Sequence, residues 1–232
     1  MTENKRTFTF KIVFQLVIVV VILPLLPMII SGVWDWWEAW VYAAVSALGF
    51  VLSRGLAARR HPDILKERAR SMELQDAKRW DRILAPIVAV GSIFILAVAG
   101  LDKLLGWTFP FSLQVKIIAL AAILLGYGLG TWALVENRFF SGVVRIQTDR
   151  GHHVVKTGPY RFIRHPGYAG VLWTYLAIPF FLDSIWAFVP AVLISLALLV
   201  RTGLEDKTLQ AELPGYREYA QKTRYRLIPG IW

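Results

Sequence analysis

Residues able to bind a charged ligand concentrate in one short stretch, residues 158–170, which reads GPYRFIRHPGYAG. Proline suits the first turn of a helix because it lacks an N–H and its φ is preset, so Pro166 predicts a helix start. The first N–H groups of a helix have no partner and favour an anion, and Arg164 and His165 add cationic donors beside them. The glycines permit close approach of another group. The stretch therefore predicts an anion-attracting site, and lipid-phosphate binding by the arginines stays open as the alternative.

A second Arg-His-Pro triplet occurs at residues 60–62. The sequence that follows it alternates charged and apolar residues, as is typical of an amphipathic helix on a surface. No cluster of glycine and tyrosine surrounds this triplet. We therefore interpret His61 as part of a structural helix start.

An acidic pair, Glu205 and Asp206, follows the last apolar segment by one helical turn. If the preceding apolar region folds into an antiparallel hairpin, this pair lies beside His165. An acidic pair next to a basic helix start suits a zwitterionic ligand, whose ammonium or sugar diol would bind Glu205. The alternative is a structural ion pair between Glu205 and Arg164 or Arg201.

The composition indicates a membrane protein. Hydrophobic residues make up 56% of the 232 positions, and the mean hydropathy is positive. The formal net charge is +10, but the basic residues form blocks between apolar runs, which favours loops beside anionic lipid over nucleic-acid binding. The chain has no cysteine, which excludes disulfides and thiolate chemistry, and we expect no metal site.

A membrane-spanning helix needs about 20 apolar residues. Stretches of about this length occur at residues 12–30, 37–56, 83–101 and 113–135. A fifth apolar region, 168–200, is broken near Leu182-Asp183-Ser184 and predicts a hairpin with short arms. The fold class is therefore an all-α integral membrane protein with about six transmembrane helices.

The basic residues set the predicted orientation. Of the 26 lysines and arginines, 24 lie in four blocks that six crossings would place on one side, leaving Lys103 and Lys116 opposite. By the positive-inside rule, both termini and all four blocks are cytoplasmic. We expect an N-terminal transmembrane part, 1–136, with a cytoplasmic helical loop at 57–82, and a catalytic region at 137–232 that faces the cytoplasm.

The pattern Arg164-His165-Pro166-x-Tyr168-x-Gly170, followed by an apolar hairpin and an acidic pair, resembles the isoprenylcysteine carboxyl methyltransferase family of membrane methyltransferases. Phospholipid N-methyltransferases are relatives of that family. The elements Gly158-Pro159-Tyr160 and Gly215-Tyr216-x-x-Tyr219 and the final RYRLIPGIW strengthen the likeness, which covers about 137–232.

The resemblance implies S-adenosylmethionine as the methyl donor, entering from the cytosol. The implied cofactor-binding residues are Tyr160, Arg164, His165, Pro166, Gly167, Tyr168, Gly170, Glu205 and Asp206. The family pattern at the acidic pair is usually Glu-Glu, and the shorter Asp206 places its direct contact with the cofactor in question. The architecture favours a lipidic or lipid-attached acceptor that enters from the bilayer between the fourth span and the hairpin.

The nature of the acceptor decides which other residues matter. A carboxylate has no proton to lose and needs no base, but it needs a cation for orientation, for which Arg201, Arg224 and Arg226 are candidates. An amine or thiol acceptor would need a base, such as His165, Glu136 or a tyrosine. Glu136 and Asn137 end the fourth span, where a lipid acceptor could enter.

The isoprenylcysteine-type carboxylate is the first expectation for the acceptor. A phospholipid amine N-methyltransferase, a membrane sterol-type reductase that uses NADPH, and a non-catalytic scaffold remain as alternatives.

Overall fold

The computed structural model describes residue 14 and residues 16–64, 67–68 and 77–232, and this part of the chain is helical without strands. Seven α-helices follow in order: α1 (Leu23–Ser31), α2 (Trp37–Arg60), α3 (Asp81–Leu105), α4 (Leu113–Glu136), α5 (Pro166–Phe181), α6 (Phe188–Glu212) and α7 (Tyr216–Lys222). A π-helical turn, Ile18–Ile22, precedes α1, and two 3₁₀ turns, Thr148–Arg150 and Gly158–Arg161, lie between α4 and α5.

Four of these helices, α2, α3, α4 and α6, are long and apolar enough to cross a membrane. The predicted spans 37–56, 83–101 and 113–135 are confirmed as long apolar helices. The predicted first span begins at residue 12, outside the described residues, and its described part is a shorter apolar helix, Ile18–Ser31. Much of the predicted surface helix within 57–82 also lies outside the described residues. Six crossings and cytoplasmic termini stay predictions.

The predicted hairpin is present, and its break falls where the sequence places it. Helix α5 has only 16 residues and meets α6 at a turn that contains Asp183, whose φ is +52°. The carboxylate of Asp183 pairs with Lys116 Nζ at 2.6 Å, and Lys116 also binds Glu38. The Ser184 hydroxyl donates to Asp102 at 2.6 Å. These buried polar contacts fix the turn at the end of the bundle that lies opposite the acidic pair.

Helices α4 and α5 pack with almost no side chain between them. A Cβ added to Gly126 would stand 2.6 Å from the carbonyl oxygen of Gly170, and one added to Gly170 would collide with the carbonyl oxygen of Gly126. Small residues allow this close approach of helix backbones in membranes. The contact leaves no room for a lipid chain at this level, and entry of the acceptor between the fourth span and the hairpin stays a prediction.

Candidate active site

A cleft opens where the ends of α4, α5 and α6 meet α7 and the segment between α4 and α5. His165, Tyr168 and Glu205 all line it, together with Tyr160, Arg164 and Gly167. The remaining lining residues are Asn137, Phe139, Phe140, Ser141, Val143, Val144, Arg145, Gln147, His152, His153, Val154, Val155, Leu209, Leu213, Tyr216 and Tyr219. The hairpin thus brings the basic stretch and the first acidic residue to one place, as the sequence predicts.

Tyr168 and Glu205 form the centre of this arrangement. The Tyr168 hydroxyl donates to Glu205 Oε2 at 2.6 Å, and the imidazole of His165 stacks parallel to the Tyr168 ring with centroids 5.8 Å apart. The guanidinium carbon of Arg201 lies over the Tyr168 ring, 5.3 Å from its centroid. Glu205 has no ion pair within the described residues, so its carboxylate remains available for a cationic or hydroxyl donor.

Asp206 has a different environment from its neighbour. Its side chain is fully buried and accepts two hydrogen bonds from Arg164, at 2.7 and 3.1 Å. It also accepts from Arg226 Nε and the Tyr216 hydroxyl, both at 3.0 Å. Asp206 does not line the cleft. The structural ion pair that was the alternative interpretation of Glu205 therefore exists at Asp206 instead.

The segment after α7 is tied directly to the basic stretch. Arg164 Nη1 donates to the backbone carbonyls of Thr223 and Arg224, at 2.8 and 2.7 Å. The backbone N–H groups of Arg164 and His165 donate to the carbonyls of Tyr225 and Arg226, both at 2.9 Å. These bonds satisfy backbone groups beside the cleft and hold the segment after α7 against the Arg-His-Pro stretch.

Two tyrosines of α7 brace the cleft from the other side. Besides the contact of Tyr216 with Asp206, the Tyr219 hydroxyl donates to the backbone carbonyl of Tyr160 at 2.6 Å. Burial raises the pKa of Tyr216 and Tyr219, and the Asp206 charge raises that of Tyr216 further, so both hydroxyls stay protonated donors. Gly215, at φ +78°, allows the sharp turn into α7.

The segment between α4 and α5 supplies an aromatic wall that the sequence analysis did not identify. The Phe139 ring packs against the His152 ring, with centroids 4.5 Å and planes 33° apart, and contacts His153 edge-on at 4.9 Å. The backbone N–H of Gln147 donates to His152 Nδ1 at 3.2 Å. Burial lowers the pKa of His152 to about 4, so at neutral pH the ring is uncharged and carries its proton on Nε2. The adjacent Phe-Phe and His-His pairs in a polar segment were the signal for this wall.

Two glycines and the proline of the basic stretch have packing roles at the start of α5. A Cβ on Gly167 would stand 2.6 Å from the Phe140 ring, so glycine is needed for that ring to close against the start of α5. Pro166 is buried at the first position of α5. Gly170 lies in the contact with α4 and not among the cleft-lining residues.

The residues that the sequence suggested for binding or activating the acceptor have different partners in the structure. Arg201 pairs with buried Asp81 at 2.7 Å. Arg224 has an exposed side chain, while Arg226 pairs with Asp206. Glu136 accepts from the Thr157 hydroxyl and pairs with Arg60 at 3.6 Å, and Asn137, whose amide contacts Tyr160, lines the cleft. Their catalytic roles stay predictions.

A bundle of long apolar helices that ends in a charged cleft defines an integral membrane protein with an enzyme-like site, and no metal-binding group of side chains occurs in the described part. Residues 117–211 match the isoprenylcysteine carboxyl methyltransferase (ICMT) family, which confirms the resemblance. The matched part runs from α4 through the basic stretch to the acidic pair on α6. The comparison with curated proteins found no match to the chain. The family match supports a multi-pass membrane methyltransferase.

Proposed function

We propose that the protein is an S-adenosylmethionine-dependent methyltransferase that acts in the membrane on a lipidic or lipid-attached acceptor, first of all an isoprenylcysteine-type carboxylate. The observation that supports this most directly is the convergence of His165, Tyr168 and Glu205 in one cleft inside the family-matched part of the chain. We further propose that residues 137–232 form the catalytic region, that residues 1–136 support it, and that the cleft faces the cytoplasm.

The residues of the cleft fit the charges of the donor. Glu205 offers a carboxylate without a cationic partner in the described residues, which suits an ammonium group or a ribose diol. Gly167, at the start of α5, lines the cleft, and its N–H has no backbone acceptor in the described part, which suits a carboxylate. The rings of Phe139 and His152, which both line the cleft, offer an aromatic surface for a nucleobase.

The donor, when bound, supplies an electrophilic methyl group on a sulfonium. For a carboxylate acceptor, a C–O bond forms as the C–S bond breaks and the electron pair stays on sulfur, so no proton moves. The chain must therefore hold the acceptor in line, which is a task of orientation. Because the anionic acceptor and the cationic donor neutralise each other, exclusion of water by the surrounding helices favours the reaction.

Binding of the product S-adenosylhomocysteine, measured by isothermal titration calorimetry on detergent-purified protein, tests the donor site. Glu205→Gln keeps the size of the side chain and the Tyr168 hydrogen bond but removes the charge. A hydrogen bond to a charged group contributes roughly 1.5–3 kcal/mol, so we expect Kd to rise about 10- to 100-fold. His165→Ala should weaken binding as well, and His61→Ala, in the other Arg-His-Pro triplet, should not.

Two outcomes would contradict the donor site: no binding to the wild-type protein, or equal losses in all three variants, which would indicate damage to the fold. The acceptor class is tested separately by incubating the enzyme with labelled donor and a lipid extract and identifying the products by mass spectrometry. Methylated products that are all water-soluble would refute a lipidic acceptor.

A further inference from the structure

One guanidinium near the cleft lacks an anionic partner in the described part of the chain. Arg68 Nη1 is buried and makes no hydrogen bond. The guanidinium carbon of Arg68 lies 5.5 Å from the centre of the Phe140 ring, and Phe140 lines the cleft and closes against Gly167. A buried charge without a partner destabilises a fold, and this position is therefore prepared for an anion.

The charged side chains around Arg68 increase the need for an anion. Burial, together with the positive charges of Arg54 and Arg201, lowers the pKa of Arg68 to about 9. Arg201 already has Asp81 as its partner. Arg54 lies over the Phe50 ring and donates to a serine hydroxyl at 3.0 Å, without a carboxylate partner in the described residues. Arg68, with Arg54 close enough to lower its pKa, thus carries an unbalanced positive charge near Tyr168, whose hydroxyl donates to Glu205.

We propose that Arg68, assisted by Arg54, holds the anionic head group of the acceptor, a carboxylate or a phosphate, next to the donor cleft. This inference rests on the proposed function and names the acceptor subsite. A planar guanidinium with parallel N–H groups matches a carboxylate or phosphate in two-point binding. Arg201 and Arg226 are occupied by Asp81 and Asp206, so they are less available for this task.

The position of the two arginines in the chain bears on specificity. Arg54 ends the apolar part of α2 and Arg68 follows α2, so both lie outside the family-matched residues 117–211. The donor site and the acceptor-head subsite therefore come from different parts of the chain. The N-terminal part would select which acceptor this protein methylates.

The test measures binding of an N-acetylated S-prenylcysteine to the purified full chain by calorimetry, in the presence of S-adenosylhomocysteine. Loss of a charge-assisted contact in Arg68→Gln should raise the acceptor Kd about 10- to 100-fold. The Kd of S-adenosylhomocysteine should stay within about two-fold, since Arg68 is assigned to the acceptor alone. Arg68→Lys should restore part of the affinity. Arg59→Gln, which removes an exposed charge of α2, is the matched control and should leave both affinities unchanged.

Two further ligands identify what the subsite recognises. The methyl ester of the same prenylcysteine has no negative charge and should bind equally to the wild type and Arg68→Gln. A short-chain phosphatidic acid tests lipid phosphate as the source of the anion. A loss of affinity in Arg68→Gln for either anion supports the subsite and names its head group.

Unchanged affinity for both anions, or a matching loss of S-adenosylhomocysteine binding, overturns the subsite. The proposed function fails in a different way. If the wild-type protein binds no S-adenosylhomocysteine but binds the anion through Arg68, the proposed donor site is refuted and the Arg68 subsite is still supported.

Discussion

Removing the charge of Glu205 and removing that of Asp206, its neighbour on α6, should affect different properties of the protein. Asp206 is fully buried and accepts hydrogen bonds from Arg164, Arg226 and Tyr216, whereas Glu205 faces the cleft. Asp206→Asn removes the charge that balances Arg164, whose side chain is only 5% exposed. We therefore expect Asp206→Asn to destabilise the fold and the isosteric change at Glu205 to affect donor binding alone.

The burial of the Arg164–Asp206 pair sets the size of the expected loss of stability. Removing one partner of a buried ion pair costs about 3–5 kcal/mol, and asparagine keeps one acceptor oxygen, so we expect a cost of about 3 kcal/mol. For a chain of this size, about 2–4 °C of Tm corresponds to 1 kcal/mol, so Tm should fall by roughly 6–12 °C. Glu205→Gln should change Tm by no more than about 2 °C.

Thermal unfolding followed by tryptophan fluorescence, in one detergent and at one heating rate, measures this difference. Glu218→Gln on α7 is the control, because it makes the same chemical change at an exposed position. Replacing both partners, as in Arg164→Met with Asp206→Leu, should recover part of the lost stability, since it removes both charges of the most buried pair and leaves only Arg226, whose side chain is 31% exposed, without its carboxylate. A Tm for Asp206→Asn within about 2 °C of the wild type would refute the assignment of Asp206 as the central structural acceptor.

Three further predictions concern the packing of the bundle and its pH dependence. Gly170→Ala should destabilise the protein by about 1–3 kcal/mol in the same unfolding assay, because the added methyl group meets the backbone of Gly126. Gly128→Ala is the control, since its Cβ has open space around it, and it should be neutral or slightly stabilising. Lys116→Met should lower Tm by several degrees, because it leaves two buried carboxylates without their cation. The Kd of S-adenosylhomocysteine should stay unchanged, because this cluster lies at the end of the bundle opposite the cleft. Since the pKa of His152 is lowered from 6.5 to about 4 in the fold, the unfolded chain binds the proton more readily, so stability should fall as pH drops from about 6.5 towards 4, with a slope of at most about 1.4 kcal/mol per pH unit. A His152→Gln variant with the same unfolding profile between pH 7 and 5 as the wild type would contradict this.

The helices were predictable because their signals are local. Apolar runs of spanning length gave α2, α3 and α4, and one polar interruption at Leu182-Asp183-Ser184 gave the turn of the hairpin. The start of α5 was also visible, since proline at the first helical position needs no distant contact. The family pattern followed from the order of the same residues along the chain.

The partners of the charged side chains were not predictable in this way. Arg201 binds Asp81, which is 120 positions away, and Arg164 binds Asp206, which is 42 positions away. Spacing along the chain does not select among several arginines and carboxylates at such separations. The adjacent Phe-Phe and His-His pairs signalled aromatic residues in this segment, but that the Phe139 and His152 rings pack together is seen only in the folded chain.

By itself, then, the sequence determined a helical membrane protein, the hairpin and the stretch where a charged ligand would bind. Only the tertiary structure decided that Glu205 faces the cleft while Asp206 is buried. Successive helical positions point about 100° apart, so two neighbouring carboxylates meet different surroundings. The packing of α5, α7 and the C-terminal segment around α6 sets which of them contacts the arginines.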